Sequence, residues 1–169
     1  LALFHAGSVT ALPFRDESFD AVLCQHILVN IRDKKKGLEE FSRVLKPGGQ
    51  LILHEVTKGK DIPLVLPVPW ADTGEISFLE PWETCQALIK GAGLRPGYFR
   101  DDTQAGLAWW ERIRKAFAKN PGLSFPLGVH LVFGKNASLF RDTMFENFKS
   151  GAANLVEAVF SKPGKRDGV

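Results

Sequence analysis

Apolar positions along this chain follow two periods, one of two residues and one near 3.6. Leu1 to Phe4 is a short apolar run ended by His5, Ala6 and Gly7, and it reads as a buried strand. "LPFRDESFD" (Leu12 to Asp20) reads as a loop, with Pro13 fixing its φ. Phe19 to Cys24 is a second strand, apolar on both faces as a central parallel strand is. Asp33 then caps a helix whose inner stripe is Leu38, Phe41 and Leu45. Glu39 and Arg43 stand four apart, the spacing of a surface ion pair. "KPGG" (Lys46 to Gly49) stops that helix, and Leu51 to Val56 is a third strand. Strand, helix and strand at this spacing form a βαβ unit with a right-handed crossover.

Between Lys58 and Phe78 the pattern breaks, because Pro63, Pro67 and Pro69 exclude regular structure around Trp70. Pro81 suits the first turn of a helix with Cys85, Leu88, Ile89 and Ala92 on one face and Gly93 at its end. Leu94 to Arg100 reads as a strand. Thr103 caps a helix carrying Trp109, Trp110, Ile113 and Phe117, broken by Asn120, Pro121 and Gly122. Pro126 to Phe133 fits a strand or a buried helix equally. Ser138 to Ser150 is helical, with Phe140, Met144 and Phe148 on one face and Gly151 past its end, and Leu155 to Phe160 is a last strand. Alternating strands and helices predict an α/β fold with a mostly parallel sheet and flanking helices. In such sheets ligands sit beyond the carboxyl ends of the strands. That places Gln25 and His26 at a cleft, across from Ser8.

Composition narrows the class. Of 169 residues, 44% are hydrophobic and 24% charged, with a net charge of +3, as in ordinary globular domains. The excess charge sits in Lys34 to Lys36 and in the tail, and no basic stripe interleaved with aromatics points to nucleic acid. No apolar run reaches the ~18 residues that span a membrane, and no charged and apolar leader opens the chain. Cys24 and Cys85 fall in apolar patterns and read as buried, reduced thiols of a cytoplasmic protein. The chain opens mid-pattern at Leu1 without an initiator Met, as a fragment or processed product does.

"GSVTALPFRDESFDAVLCQHILVNIRDKKKGLEEFSRVLKPGGQLILHE" (Gly7 to Glu55) resembles the middle of the class I S-adenosylmethionine-dependent methyltransferases. The resemblance is to the small-molecule group of ubiquinone/menaquinone-biosynthesis and sarcosine/dimethylglycine methyltransferases. It rests on "LPFRDESFD" and "RVLKPGG" at this separation, with "SFLEPWETCQALIKGAGL" (Ser77 to Leu94) similar to the next helix. It implies a Rossmann-like sheet and one domain over 1–169, with a partial cofactor-binding core at 1–57 and a lid insertion at 58–78. A core helix and strand follow at 79–102, a helical cap at 103–150, and a final strand and tail at 151–169.

The resemblance further implies S-adenosylmethionine as cofactor, at Gly7, Ser8, Val9, Cys24, Gln25 and His26. The adenine would lie at Ser8 and Val9 and the sulfonium near Gln25 and His26. Trp70, Trp110 and the segment from Trp109 to Phe133 would lie over a small-molecule acceptor. His26 is the candidate catalytic residue, since an imidazole titrating near neutrality suits proton removal. A polar strand end bonded to nearby backbone, or a wall contact to the cofactor, fits the same residue. Trp70 is the aromatic placed to stack on an acceptor or to cover a cation.

The departures from the family pattern carry a second reading. Ser8 replaces the acid that meets the adenine, and Asn30 replaces a histidine. The glycine-rich loop and the ribose-holding acid belong upstream, about two βα units or on the order of 60 residues. A sheet lacking those strands exposes an apolar edge, so either a partner such as a second copy covers it, or the chain is a piece of a longer protein, or the fold is rebuilt. A non-catalytic, methyltransferase-like binding or scaffold module is therefore the alternative. His54 and Glu55 read as a strand-end ion pair, Lys34 to Lys36 as a solvated helix start, and no spacing supports a metal.

Overall fold

The computed structural model describes residues 2–120, 128 and 130–164. Four strands make one sheet: β1 (Phe19–Gln25), β2 (Leu45–Lys58), β3 (Arg95–Asp101) and β4 (Ala153–Ser161), in spatial order β1-β2-β4-β3. Helix α1 (Lys34–Val44) joins β1 to β2, α2 (Trp82–Gly91) leads into β3, and α3 (Thr103–Lys119) leaves it. A single turn α4 (His130–Phe133) and α5 (Phe140–Ser150) precede β4.

The βαβ unit forms as expected, with β1 parallel to β2. Asp33 caps α1 by accepting the Lys36 N–H at 3.0 Å, and Leu38, Phe41 and Leu45 are buried. The sheet as a whole is mixed, because the final strand β4 enters between β2 and β3 and runs antiparallel to both. The α/β class stands, but only one of the three pairings is parallel. Just past α2, Gly93 holds a φ of +84°, which suits a residue without Cβ.

Four expectations are corrected. Residues 2–7 form no strand, and Leu3 and Phe4 are exposed, since no neighbouring strand among the described residues pairs with them. Strand β1 is therefore an edge and not central, and Leu23 on it is 67% exposed. Glu39 pairs with Lys35, while Arg43 turns inward to Asp16 and Glu40. Lys34 is buried, its ammonium donating to the carbonyls of Ile31 and Phe78, and is no solvated helix start. Of the ambiguous segment from Pro126 to Phe133, residues 126, 127 and 129 lie outside the described residues, as do the helix breakers Pro121 and Gly122; His130–Phe133 is helical.

The pleat divides the core in two. Leu51 and Leu53 of β2 pack with Leu38, Phe41 and Ile89, between the sheet and α1 and α2. Val56 packs on the other face with Val68, Met144 and Phe148, from the 58–78 segment and α5. Each fully buried aliphatic side chain here contributes about 1.5–3 kcal/mol. The 58–78 segment is held to this second face at defined points. Asn147 is fully buried and clamps Val65, donating to its carbonyl at 2.9 Å and accepting its N–H at 2.8 Å. Gly59 lies so close to Gly151 that a Cβ would stand 2.1 Å from the Gly151 carbonyl oxygen, so only glycine fits where this segment leaves β2. No helix among the described residues is long and apolar enough to cross a membrane.

Candidate functional site

Register across the sheet builds a polar row. Gln25 pairs with His54, His54 with Glu157, and Glu157 with Arg100, so one residue from each strand lies in line on one face. That face forms the floor of a cavity of about 680 Å³, where His26, His54 and Arg100 meet an aromatic wall of Trp70, Trp109 and Trp110. Phe133, Met144, Phe148 and Leu155 complete the apolar lining.

The floor is electrostatically differentiated. The Arg100 guanidinium is met by Asp102 at 2.7 Å and by Glu157, so its charge is already balanced. His26 and His54 face each other, ring centroids 4.9 Å apart. Burial first, and the neighbouring His54 second, hold the His26 imidazole below its ordinary 6.5, so it is neutral at pH 7. The backbone at His26 is left-handed, φ +53°, a conformation that histidine, asparagine and aspartate adopt more readily than other side chains. The sharp turn after β1 thereby directs the ring to the cavity.

The aromatic wall has its own supports. Asn30, the departure from the family pattern, donates from its amide to the Trp70 and Ile76 carbonyls, both at 2.8 Å. Trp70 Nε1 donates to Ser77 Oγ at 3.0 Å, which fixes the ring plane. Trp109 and Trp110 pack edge to face, 4.5 Å between ring centroids. Trp82 is elsewhere, stacked on Phe99.

The other candidate residues lie apart from this cavity. Cys24 is buried on the opposite face of β1, its thiol donating to Glu55 Oε1 at 3.1 Å and pushed up by burial. Gln25 is exposed at the end of the edge strand. Gly7 lies against Pro13, and Ser8 Oγ bonds Thr10 Oγ1 at 2.9 Å. Val9 packs on Gly37 of α1 and its N–H has no hydrogen-bond partner among the described residues. Of the predicted set, the structure gathers His26, Trp70 and Trp110 in one cavity and leaves Gly7, Ser8, Val9, Cys24 and Gln25 outside its lining.

The sequence reading missed His54, Arg100 and Glu55. Alternation was the available signal: neighbours on a strand point to opposite faces, so His54 and Glu55 have no geometry for an ion pair. His54 turns to the cavity, and Glu55 turns into the core, where Oε1 accepts the Ile27 and Leu28 N–H groups at 2.9 and 3.2 Å.

Residues 2–53 match the family described as "Methyltransferase domain". A demethylmenaquinone methyltransferase of Renibacterium salmoninarum is 54% identical over 52 residues, which are 31% of this chain and 22% of that protein. Likeness in structure extends much further. Phosphoethanolamine N-methyltransferase 2 of Haemonchus contortus, solved with S-adenosyl-L-methionine, superposes with a TM-score of 0.70 at 16% identity over 92% of this chain and 36% of that one. The fold is that of a class I methyltransferase. Geranyl diphosphate C-methyltransferase of Streptomyces coelicolor, solved with S-adenosyl-L-homocysteine, shares this methyltransferase fold with a TM-score of 0.68 at 15% identity, over 94% of this chain and 52% of that one. The chain thus spans about a fifth of the curated relative and about half or less of these solved methyltransferases.

These two neighbours are solved with S-adenosyl-L-homocysteine and S-adenosyl-L-methionine, and the described residues offer groups for one side of such a molecule. The open Val9 N–H suits an adenine ring nitrogen, and the left-handed turn at His26 ends β1 beside an exposed strand edge. Ser8 has its hydroxyl engaged by Thr10 and is no substitute for an acid. The 169 residues contain no glycine-rich loop of the GxGxG kind for the other side.

Proposed function

We propose that this chain carries the acceptor-binding part of an S-adenosylmethionine-dependent methyltransferase acting on a small, largely apolar molecule. One observation carries the reading: an aromatic cavity of about 680 Å³ meets the His26 imidazole, held neutral at pH 7, at the carboxyl end of β1. S-adenosylmethionine, when bound, supplies a methyl group already activated on a sulfonium. The chain's own work is then positioning and proton removal. Val9 holds the adenine through its N–H, and Gln25 and His26 wall the methionine end. Trp70 and Trp110 hold the acceptor ring and exclude water. His26, backed by His54, takes the proton from an acceptor hydroxyl or amine.

The balance of charge selects among acceptors. Among the described residues lining the cavity Arg100 carries the only fixed positive charge, and Asp102 and Glu157 already pair with it. A phosphate or carboxylate would compete with two acids, whereas an uncharged ring loses little on entry. An acceptor of the kind in the relative's name, demethylmenaquinone, meets this description. A cytoplasmic location accords with two buried free thiols. Self-association over the open β1 edge belongs to the same proposal and is read from the molar mass in solution.

The test is transfer of a labelled methyl group from S-adenosylmethionine to two acceptor panels, one of neutral phenols and quinols, the other of phosphate and carboxylate esters. Transfer to the first panel alone is expected. Cofactor binding without transfer to either would support the non-catalytic module instead.

A further inference from the structure

A buried acid sits directly beneath the histidine turn. Glu55 is 2% exposed, yet its side chain reaches from β2 to the first two N–H groups after His26, those of Ile27 and Leu28. The same oxygen, Oε1, also accepts the Cys24 thiol just before the turn, at 3.1 Å. One carboxylate oxygen therefore ties both sides of a backbone reversal whose central residue holds φ +53°. A further local tie is the His26 N–H to the His54 carbonyl, 3.0 Å. A non-glycine residue stays left-handed only when its surroundings over-determine it. Here those surroundings are Glu55 and the end of β2.

The rest of Glu55 is oriented as well. Its second oxygen, Oε2, is buried without a protein partner among the described residues, as is Thr57 Oγ1 two residues on along the same face. Both residues line a small hollow with Lys34 and Cys85. A fully buried carboxylate is costly, and a stability role alone would be met more cheaply by an apolar side chain. An acid at this place is explained by what its Oε1 holds.

We propose that Glu55 is the positioning residue for His26, fixing the left-handed turn that directs the imidazole into the cavity. The role rests on the reading of His26 as the proton acceptor in that cavity. Reach of the acceptor oxygen is what matters, and the negative charge is not. Two substitutions separate these. Glu55→Gln keeps an oxygen at the same reach without the charge. Glu55→Asp keeps the charge and withdraws the oxygen by one methylene.

The experiment measures the His26 imidazole resonances through a pH titration, assigned by their loss in His26→Asn, together with melting temperature and the kcat and KM of methyl transfer. Glu55→Gln is expected to keep the wild-type His26 titration. Glu55→Asp, read while folded, is expected to shift it and to lower kcat roughly tenfold to a hundredfold with little change in KM, as misplacement by about 1 Å does. A folded Glu55→Asp with an unmoved His26 titration, or a folded Glu55→Gln with a shifted one, overturns the positioning role. The titration is read without turnover. A wild-type protein that transfers no methyl group would overturn the functional reading and leave the test of positioning intact.

Discussion

The imidazole rings of His26 and His54 face each other across the parallel β1–β2 pair, 4.9 Å between centroids and 58° between planes. They belong to adjacent strands, and the His26 N–H bonds the His54 carbonyl at 3.0 Å. The neighbouring His54 adds to the lowering that desolvation imposes on the His26 imidazole. Most of what the cavity can do chemically depends on this pair.

Replacing His26 separates shape from chemistry. Asparagine tolerates a left-handed backbone, so His26→Asn should melt within a few degrees of wild type while losing most turnover. Alanine tolerates it less well, and His26→Ala should lose about a further 1 kcal/mol of stability. Calorimetry beside a methyl-transfer assay reads both. If His26→Asn melts far lower and keeps full turnover per folded molecule, the residue is structural.

The pH profile has a defined sign. His26 is held below its ordinary 6.5, so it is unprotonated and able to accept a proton at pH 7. Turnover per KM should therefore fall on the acid side, through a midpoint under 6.5. The acid limb should vanish from the residual activity of His26→Asn. A midpoint above 7 would assign the limb to another group.

Trp70 offers a test of the acceptor wall. Trp70→Phe keeps an aromatic face and loses only the Nε1 bond to Ser77, which costs about 0.5–1.5 kcal/mol of stability. Trp70→Ala removes the face itself and should raise the acceptor KM by roughly tenfold or more, with cofactor affinity unchanged. Equal KM values in the two variants would remove Trp70 from the acceptor site.

The clamp of Asn147 on Val65 ties the segment bearing Trp70 to α5. Asn147→Leu leaves both main-chain groups of Val65 without a partner, a loss of about 2 kcal/mol, or roughly 4–8 °C in melting temperature. Proteolysis should then cut first within 58–78. A variant cut first at another segment would show that the clamp does not hold this one.

Local pattern made much of this fold readable. The Leu38 and Phe41 face, the Asp33 cap and the Cys85, Ile89 face all sit where helical spacing puts them, while Leu45 is already extended and opens β2. Strand neighbours were another matter. β4 is last in the chain yet lies between β2 and β3, so the row from Gln25 through His54 and Glu157 to Arg100 arises only from topology. The expected strand at Leu1 to Phe4 failed for a related reason, since a strand exists only against a partner. Leu1 itself lies outside the described residues. His26 and Trp70 were legible because each follows a recognisable element, a strand end and a proline-rich insertion. Glu55 was not, because its partners Ile27 and Leu28 are main-chain groups that carry no side-chain signature.

The most direct measurement of the central claim follows amide resonances of the protein as S-adenosylhomocysteine is added. The account predicts that Val9 and His26 shift together along one binding curve, while the Trp70 indole moves only when an apolar acceptor follows. Saturating ligand that leaves both Val9 and His26 unmoved would contradict it.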